Sequence, residues 1–339
     1  MVAGYKNFCG SIFLVRPARH ARLPGEAGGY SIFYLIYMTE KNAENKSKMG
    51  AWLLATRPKT LPAAIAPVIL GTAIAIADKH FAWLEAAAAF SVALLLQIGV
   101  NVANDYFDYL KGIDSEDRLG PPRVAQSGLI PAKQVRTGMA LIFFLSFIPG
   151  IYLLAVGGWP VLFIGLACIS AALAYSGGPF PLASHGLGDI FVFIFFGLVA
   201  VGGTYYVQAL RLTPMVWLMG TIEGLLITAI LVVNNLRDIQ TDRQSGKRTL
   251  AVIIGERASK MEYLLLLGIA YAIPIILWMS RHGSVWMIMP LFSLPLALSL
   301  VRFIWKSEGG SMLNQALAKT AKLALFYSLL LSAGLVLSF

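Results

Sequence analysis

Nine apolar runs, most of them close to the length that crosses a bilayer, constrain this chain more than anything else in it. They fall near 61–78, 84–104, 135–156, 160–176, 187–207, 214–233, 261–280, 285–302 and 321–338. About 20 apolar residues span the hydrocarbon core as a helix. Lipid offers no partner to an open backbone, so helices are the spanning form such runs predict. The whole chain of 339 residues is 58% hydrophobic and only 13% charged, about half the charge of a soluble domain. An all-α integral membrane protein follows, with the lipid bilayer as its first partner.

The charges between the runs support nine spans. Lys and Arg number nine before the first run, five at 105–136, six at 234–262 and four at 302–322. The alternate loops carry only Lys79, Arg211 and Arg281. This asymmetry places the basic loops in the cytoplasm. It also accounts for the net charge of +10 without a nucleic-acid partner. Cys9 and Cys168 make neither a disulfide framework nor a thiolate metal site. Residues 51–339 read as the transmembrane domain. Residues 1–50 read as an N-terminal extension, expected to be partly disordered. Its Lys6, Arg16, Arg19 and Arg22 precede the first acid, Glu26, and its apolar stretch 30–37 is too short to span. It is either a basic targeting segment or, the reading adopted, an upstream extension with Met38 as an alternative start.

Two acidic clusters sit at the ends of apolar runs on the basic side. The first is Asn101, Asn104, Asp105 and Asp108, followed by Asp114; the second is Asn234, Asn235, Asp238 and Asp242. Steps of three and four put each set on one helix face. Carboxylates crowded against hydrocarbon are costly unless they have a task. Strips of oxygen ligands suit Mg²⁺, which is commonly held by a few carboxylates plus substrate phosphates. Two facing strips therefore predict a metal clamp on a diphosphate. Arg118 and Arg123 follow the first cluster, and Lys247 and Arg248 the second; such cations stabilise phosphate oxygens and a departing diphosphate. The recurrence of Asn-Asp-x-x-Asp and Asn-Asn-x-x-Asp four runs apart fits two four-helix units plus a ninth helix.

A third loop, Ala174-Tyr175-Ser176-Gly177-Gly178-Pro179-Phe180-Pro181, carries no Lys or Arg. Its glycines and prolines suit an irregular cavity lining. Tyr175 is a candidate to orient an aromatic substrate or face a cation, and Asp189 is a helix-start residue or a site residue. His185 reads as a loop residue. Glu223, about 15 Å along a helix from the second cluster, is too far for a diphosphate and is expected to pair with Arg211 or another buried partner.

From about Trp52 onward the chain resembles the UbiA superfamily of intramembrane prenyltransferases, and within it the 1,4-dihydroxy-2-naphthoate polyprenyltransferases of menaquinone synthesis. The blocks that carry this are RPKTLPAAIAPVILG (57–71), NDYFDYLKGIDSEDRLGPPRVAQSGLI (104–130), AYSGGPFPLASHGLGD (174–189), GTYYVQ (203–208) and NNLRDIQTDRQSGKRTLAVIIG (234–255). The superfamily's first motif is Asn-Asp-x-x-Asp-x-x-x-Asp. Here position 112 is Gly and the next acid is Asp114, as in the naphthoate branch. The resemblance implies nine helices around a central cavity. It also implies Mg²⁺ on Asp105, Asp108, Asp114, Asp238 and Asp242, and attack of a naphthoate ring on a polyprenyl diphosphate with loss of CO₂. Another acceptor, such as homogentisate or 4-hydroxybenzoate, or a phytyl donor, stands as an alternative. A cation-coupled transporter is the rival of another class, although transporters place their acids near the midplane.

Overall fold

The computed structural model describes residues 48–112, 119–120 and 122–338. Residues 1–47 lie outside them, and with them the targeting and Met38 readings; so do Asp114, Asp117 and Arg118. Among the described residues there is no strand. The helices are α1 (Lys48–Thr56), α2 (Pro62–Ala77), α3 (Trp83–Leu110), α4 (Ala132–Gly157), α5 (Trp159–Ser176), α6 (Gly188–Ala209), α7 (Pro214–Gln244), α8 (Leu250–Ile254), α9 (Glu256–Met279), α10 (Leu294–Lys306) and α11 (Leu313–Leu337). A 3₁₀ stretch, Val285–Ser293, extends α10 into one span, Val285–Lys306.

Eight of these helices are long and apolar enough to cross a membrane, and a bent pair supplies the ninth. That pair differs from the sequence expectation. The predicted first span is only the 16-residue α2, joined through a 53° bend to α1 and the 3₁₀ turn Pro58–Thr60. Pro58 and Pro62 punctuate the bend, since proline favours a helix start and disfavours its interior. The helix α1 was not foreseen, because the segment before it is polar and its own nine residues are far too few to read as a span.

Two spans are longer than predicted, at the ends that matter. Helix α3 runs to Leu110 and α7 to Gln244, whereas the hydropathy edges lie at 104 and 233. Gly112 and Gly246, both at positive φ, then turn the chain out of each helix. Both acidic clusters are therefore helical throughout.

Helix α7 is the axis of the bundle, with 72% of its most apolar window buried, against 11% for α5. It packs against α9, α11 and α6. At the α6 contact the helices touch backbone to backbone: a Cβ on Gly197 would lie 2.5 Å from the Gly220 carbonyl. There, at Phe193–Val199, α6 loosens into a π-helix. Outward, Phe144, Ile148, Trp159 and Phe163 of α4 and α5 are exposed, which fits a lipid-facing wall.

Candidate active site

A cavity of about 530 Å³ runs between α2, α3, α4, α5, α6 and α7. Its depth is apolar. Its mouth holds Asn101, Asn104, Asp108 and Arg123 from one side, and Asn234, Asn235, Asp238, Asp242 and Lys247 from the other. The two sequence clusters thus meet at one opening, as their shared helix faces anticipate.

On the α3 side, Asp108 is buried and forms an ion pair with the guanidinium of Arg123, itself buried. The Lys247 ammonium lies 3.9 Å from the same carboxylate oxygen. Asp105 faces another way. Its two oxygens accept the backbone N–H groups of Val124 and Ala125 at 2.9 and 3.0 Å, and it is not part of the cavity wall. This acid, expected to hold metal, instead fastens the turn that delivers Arg123 to Asp108.

On the α7 side the organiser is Arg237, to which the sequence reading gave no task. Its Nε and Nη2 donate to the two oxygens of Asp238 at 2.8 and 2.5 Å, and Nη2 also donates to Asn234 Oδ1 at 2.9 Å. Its Nη1 donates to Asn314 Oδ1 at 3.0 Å, and Asn314 donates to the Leu119 carbonyl at 2.8 Å. One buried guanidinium fixes motif, last span and loop. The available signal was its spacing, one residue before Asp238 and three after Asn234.

The loop after α5 ties the sides together. Ser176 Oγ donates to Asn104 Oδ1 at 2.7 Å, and Lys111 Nζ donates to the Ser176 carbonyl at 2.6 Å. At its far end the Ser184 carbonyl accepts the Arg248 amide at 3.0 Å. The Arg248 side chain is exposed and outside the cavity wall. Tyr175 lines the cavity. Asp189 is buried in the first turn of α6, off the cavity wall, with Oδ2 unpartnered among the described residues. His185 stacks on Phe180 at 3.7 Å and contacts the Pro181 carbonyl, a loop role as expected.

Among the described residues no three acidic, His or Cys side chains already converge on one point. The donors around the mouth are nonetheless carboxylate and amide oxygens, the set Mg²⁺ takes when substrate phosphates complete its shell. Of the two partners expected for Glu223, the structure supplies the buried one: Glu223 accepts from Ser328 Oγ at 2.6 Å, while Arg211 pairs with Asp78 at 3.8 Å and donates to Tyr205. Arg211 precedes α7, and Glu223 lies nine residues beyond its first residue, roughly 13 Å along the axis.

The model of the UbiA prenyltransferase family matches residues 64–330. The chain belongs to the UbiA prenyltransferase family. A 1,4-dihydroxy-2-naphthoate octaprenyltransferase of Escherichia coli (strain K12) is 39% identical over 308 residues, covering 89% of this chain and 99% of the relative. A protein of the same name from Mycobacterium tuberculosis is 37% identical over 289 residues, covering 85% and 98%. In fold, the solved UbiA homolog from Archaeoglobus fulgidus bound to DMAPP and Mg²⁺ superposes with a TM-score of 0.57 at 14% identity, covering 83% of this chain and 99% of that one. This UbiA family member is thus an integral membrane prenyltransferase.

Proposed function

We propose that the protein transfers a polyprenyl group from a polyprenyl diphosphate to 1,4-dihydroxy-2-naphthoate, releasing diphosphate and CO₂ to give a demethylmenaquinol, the hydroquinone that later oxidises to a demethylmenaquinone, with Mg²⁺ as cofactor and the site open to the cytoplasm. The observation that carries this reading is the cavity between α2 and α7: oxygen ligands and cations ring its mouth, and mostly hydrocarbon lines its depth. The curated bacterial relatives that bear the naphthoate name, matched over nearly their whole length, support the acceptor.

Asp108, Asp238 and Asp242 would hold Mg²⁺ with the substrate's phosphate oxygens, and the metal when bound supplies positive charge against the leaving diphosphate. Asp114 of the same motif is a further candidate ligand. The rest falls to the chain. Arg123 and Lys247 stand at the carboxylate nearest the diphosphate and take up the charge that grows as the C–O bond breaks. Asn104 is held by Ser176, so the rim keeps its shape. The apolar walls seat the tail and keep water from the allylic cation until the electron-rich ring attacks its C1. Carbon dioxide then leaves the ring carbon that has been alkylated.

Membranes carrying the protein should convert a polyprenyl diphosphate and 1,4-dihydroxy-2-naphthoate into a prenylated naphthohydroquinone, read as its quinone after oxidation in air. Asp108→Ala and Asp238→Ala should abolish the conversion. Full activity in both variants would remove the metal clamp, and a product formed only from another acceptor would replace the naphthoate.

A further inference from the structure

Below the acidic rim the cavity wall is mostly hydrocarbon, broken by single polar groups such as Ser146, Thr204 and Tyr206 and by a polar lattice where α3 meets the bend before α2. We infer that Gln97 in this lattice is the recognition point for the aromatic acceptor, its side-chain carbonyl oxygen accepting a hydrogen bond from a free ring hydroxyl. The inference rests on the function proposed above.

The lattice fixes which way the Gln97 amide is turned within the cavity wall. Thr60 Oγ1 donates its only proton to the Arg57 carbonyl at 3.0 Å. It can then only accept from its other neighbours. Two amides reach it, Gln97 Nε2 at 3.3 Å and Asn101 Nδ2 at 3.0 Å. Asn101 Nδ2 also donates to the Thr56 carbonyl at 2.9 Å. A reversed Gln97 amide would set carbonyl against a hydroxyl with no proton to give, so Nε2 must point at Thr60 and Oε1 away from it. Oε1 is buried, belongs to a cavity-lining residue that is only 8% exposed, and has no hydrogen-bond partner among the described residues. The arrangement is held at a cost. Arg57, whose carbonyl takes the Thr60 proton, has a left-handed backbone at φ 49°, a conformation that strains a side-chain-bearing residue and gathers at functional sites.

A buried carbonyl oxygen without a donor selects a ligand that brings one. A prenyl tail carries no O–H or N–H and cannot answer it. The diphosphate, held at the rim, is all acceptor. The acceptor diol has two hydroxyls: the one beside the ring carboxylate is engaged with that carboxylate, and the 4-hydroxyl is free to donate. Gln97 lies seven residues before Asn104 on α3, about 10 Å deeper, the level at which a bicyclic ring would sit beneath the diphosphate. Hydrogen-bonding the 4-hydroxyl to Gln97 Oε1 turns the carboxylate-bearing edge up toward the reacting carbon.

The test compares 1,4-dihydroxy-2-naphthoate with 1-hydroxy-2-naphthoate, which lacks the 4-hydroxyl, in the wild type and in Gln97→Met and Gln97→Leu. The ratio of kcat/KM for the two acceptors should fall by about tenfold to a hundredfold in both variants, the range for one buried hydroxyl left without its partner. The KM for polyprenyl diphosphate should stay within about twofold, as expected when the diphosphate contacts are untouched. A misfolded fraction lowers both turnovers equally and leaves the ratio unchanged, and where turnover is lost the ratio of dissociation constants for the two ligands carries the same information. An unchanged ratio would overturn the assignment while leaving the prenyltransferase reading intact. Failure of the wild type to prenylate the diol at all would instead sink the reading on which it rests.

Discussion

At the scale of single residues, the site is a set of charges kept in balance by guanidinium groups. Arg123 and Asp108 are both buried, so removing one strands the other. Arg123→Leu should lower stability by about 3 kcal/mol and reduce turnover by at least about a hundredfold, the loss typical of a removed charge-stabilising group; detergent-solubilised thermal unfolding and product assays check the two effects. Lys111 makes a second case. Loss of hydration lowers its pKa below the ordinary 10.5, Asp108 pulls it back up, and Lys247 pushes it down again. The native state therefore releases this proton at lower pH than the unfolded chain. Below the native pKa the poorly hydrated ammonium is a full cost, which disappears as pH rises toward 10.5. Wild-type stability should accordingly gain on Lys111→Met as pH rises through that window, measured by unfolding both proteins across alkaline pH.

At the scale of elements, the contact of α6 with α7 decides the shape of the inner cavity wall. A Cβ on Gly197 would press on the Gly220 carbonyl and Gly224 backbone, neither of which can swing aside. Gly197→Ala should cost about 1–3 kcal/mol as an overpacked core does, seen as a lower unfolding temperature, with activity falling as the wall shifts. The periodicity of the apolar runs foretold most of these elements because burial in lipid is a property of each run alone. The bend at Arg57–Leu61 and the helical ends of α3 and α7 escaped it, since prolines and polar residues, not apolar periodicity, mark them. The faces bearing Asp108, Asp238 and Asp242 were legible from three- and four-residue spacing. The anchoring role of Asp105 was not, because it is set by the amides of Val124 and Ala125, nearly twenty residues on. Arg237 stood in plain view within its motif, yet its reach to Asn314 needed the fold.

At the scale of the whole molecule, the basic loops orient the bundle, and sidedness is the prediction. A single cysteine at Lys79, in a background lacking Cys9 and Cys168, should react with an impermeant maleimide added outside intact cells. One at Arg243 should react only after the membrane is opened. The reverse pattern would turn the site to the opposite face and overthrow the cytoplasmic assignment.

The bond from Asn314 to the carbonyl of Leu119 joins positions 195 residues apart. When the ribosome has made both acidic clusters and all of the cavity lining but Leu317, this clasp still awaits α11. The Arg237 anchor is thus complete only when α11 has joined the bundle. A nascent chain stalled before that helix would carry all the catalytic letters with that anchor still unfastened.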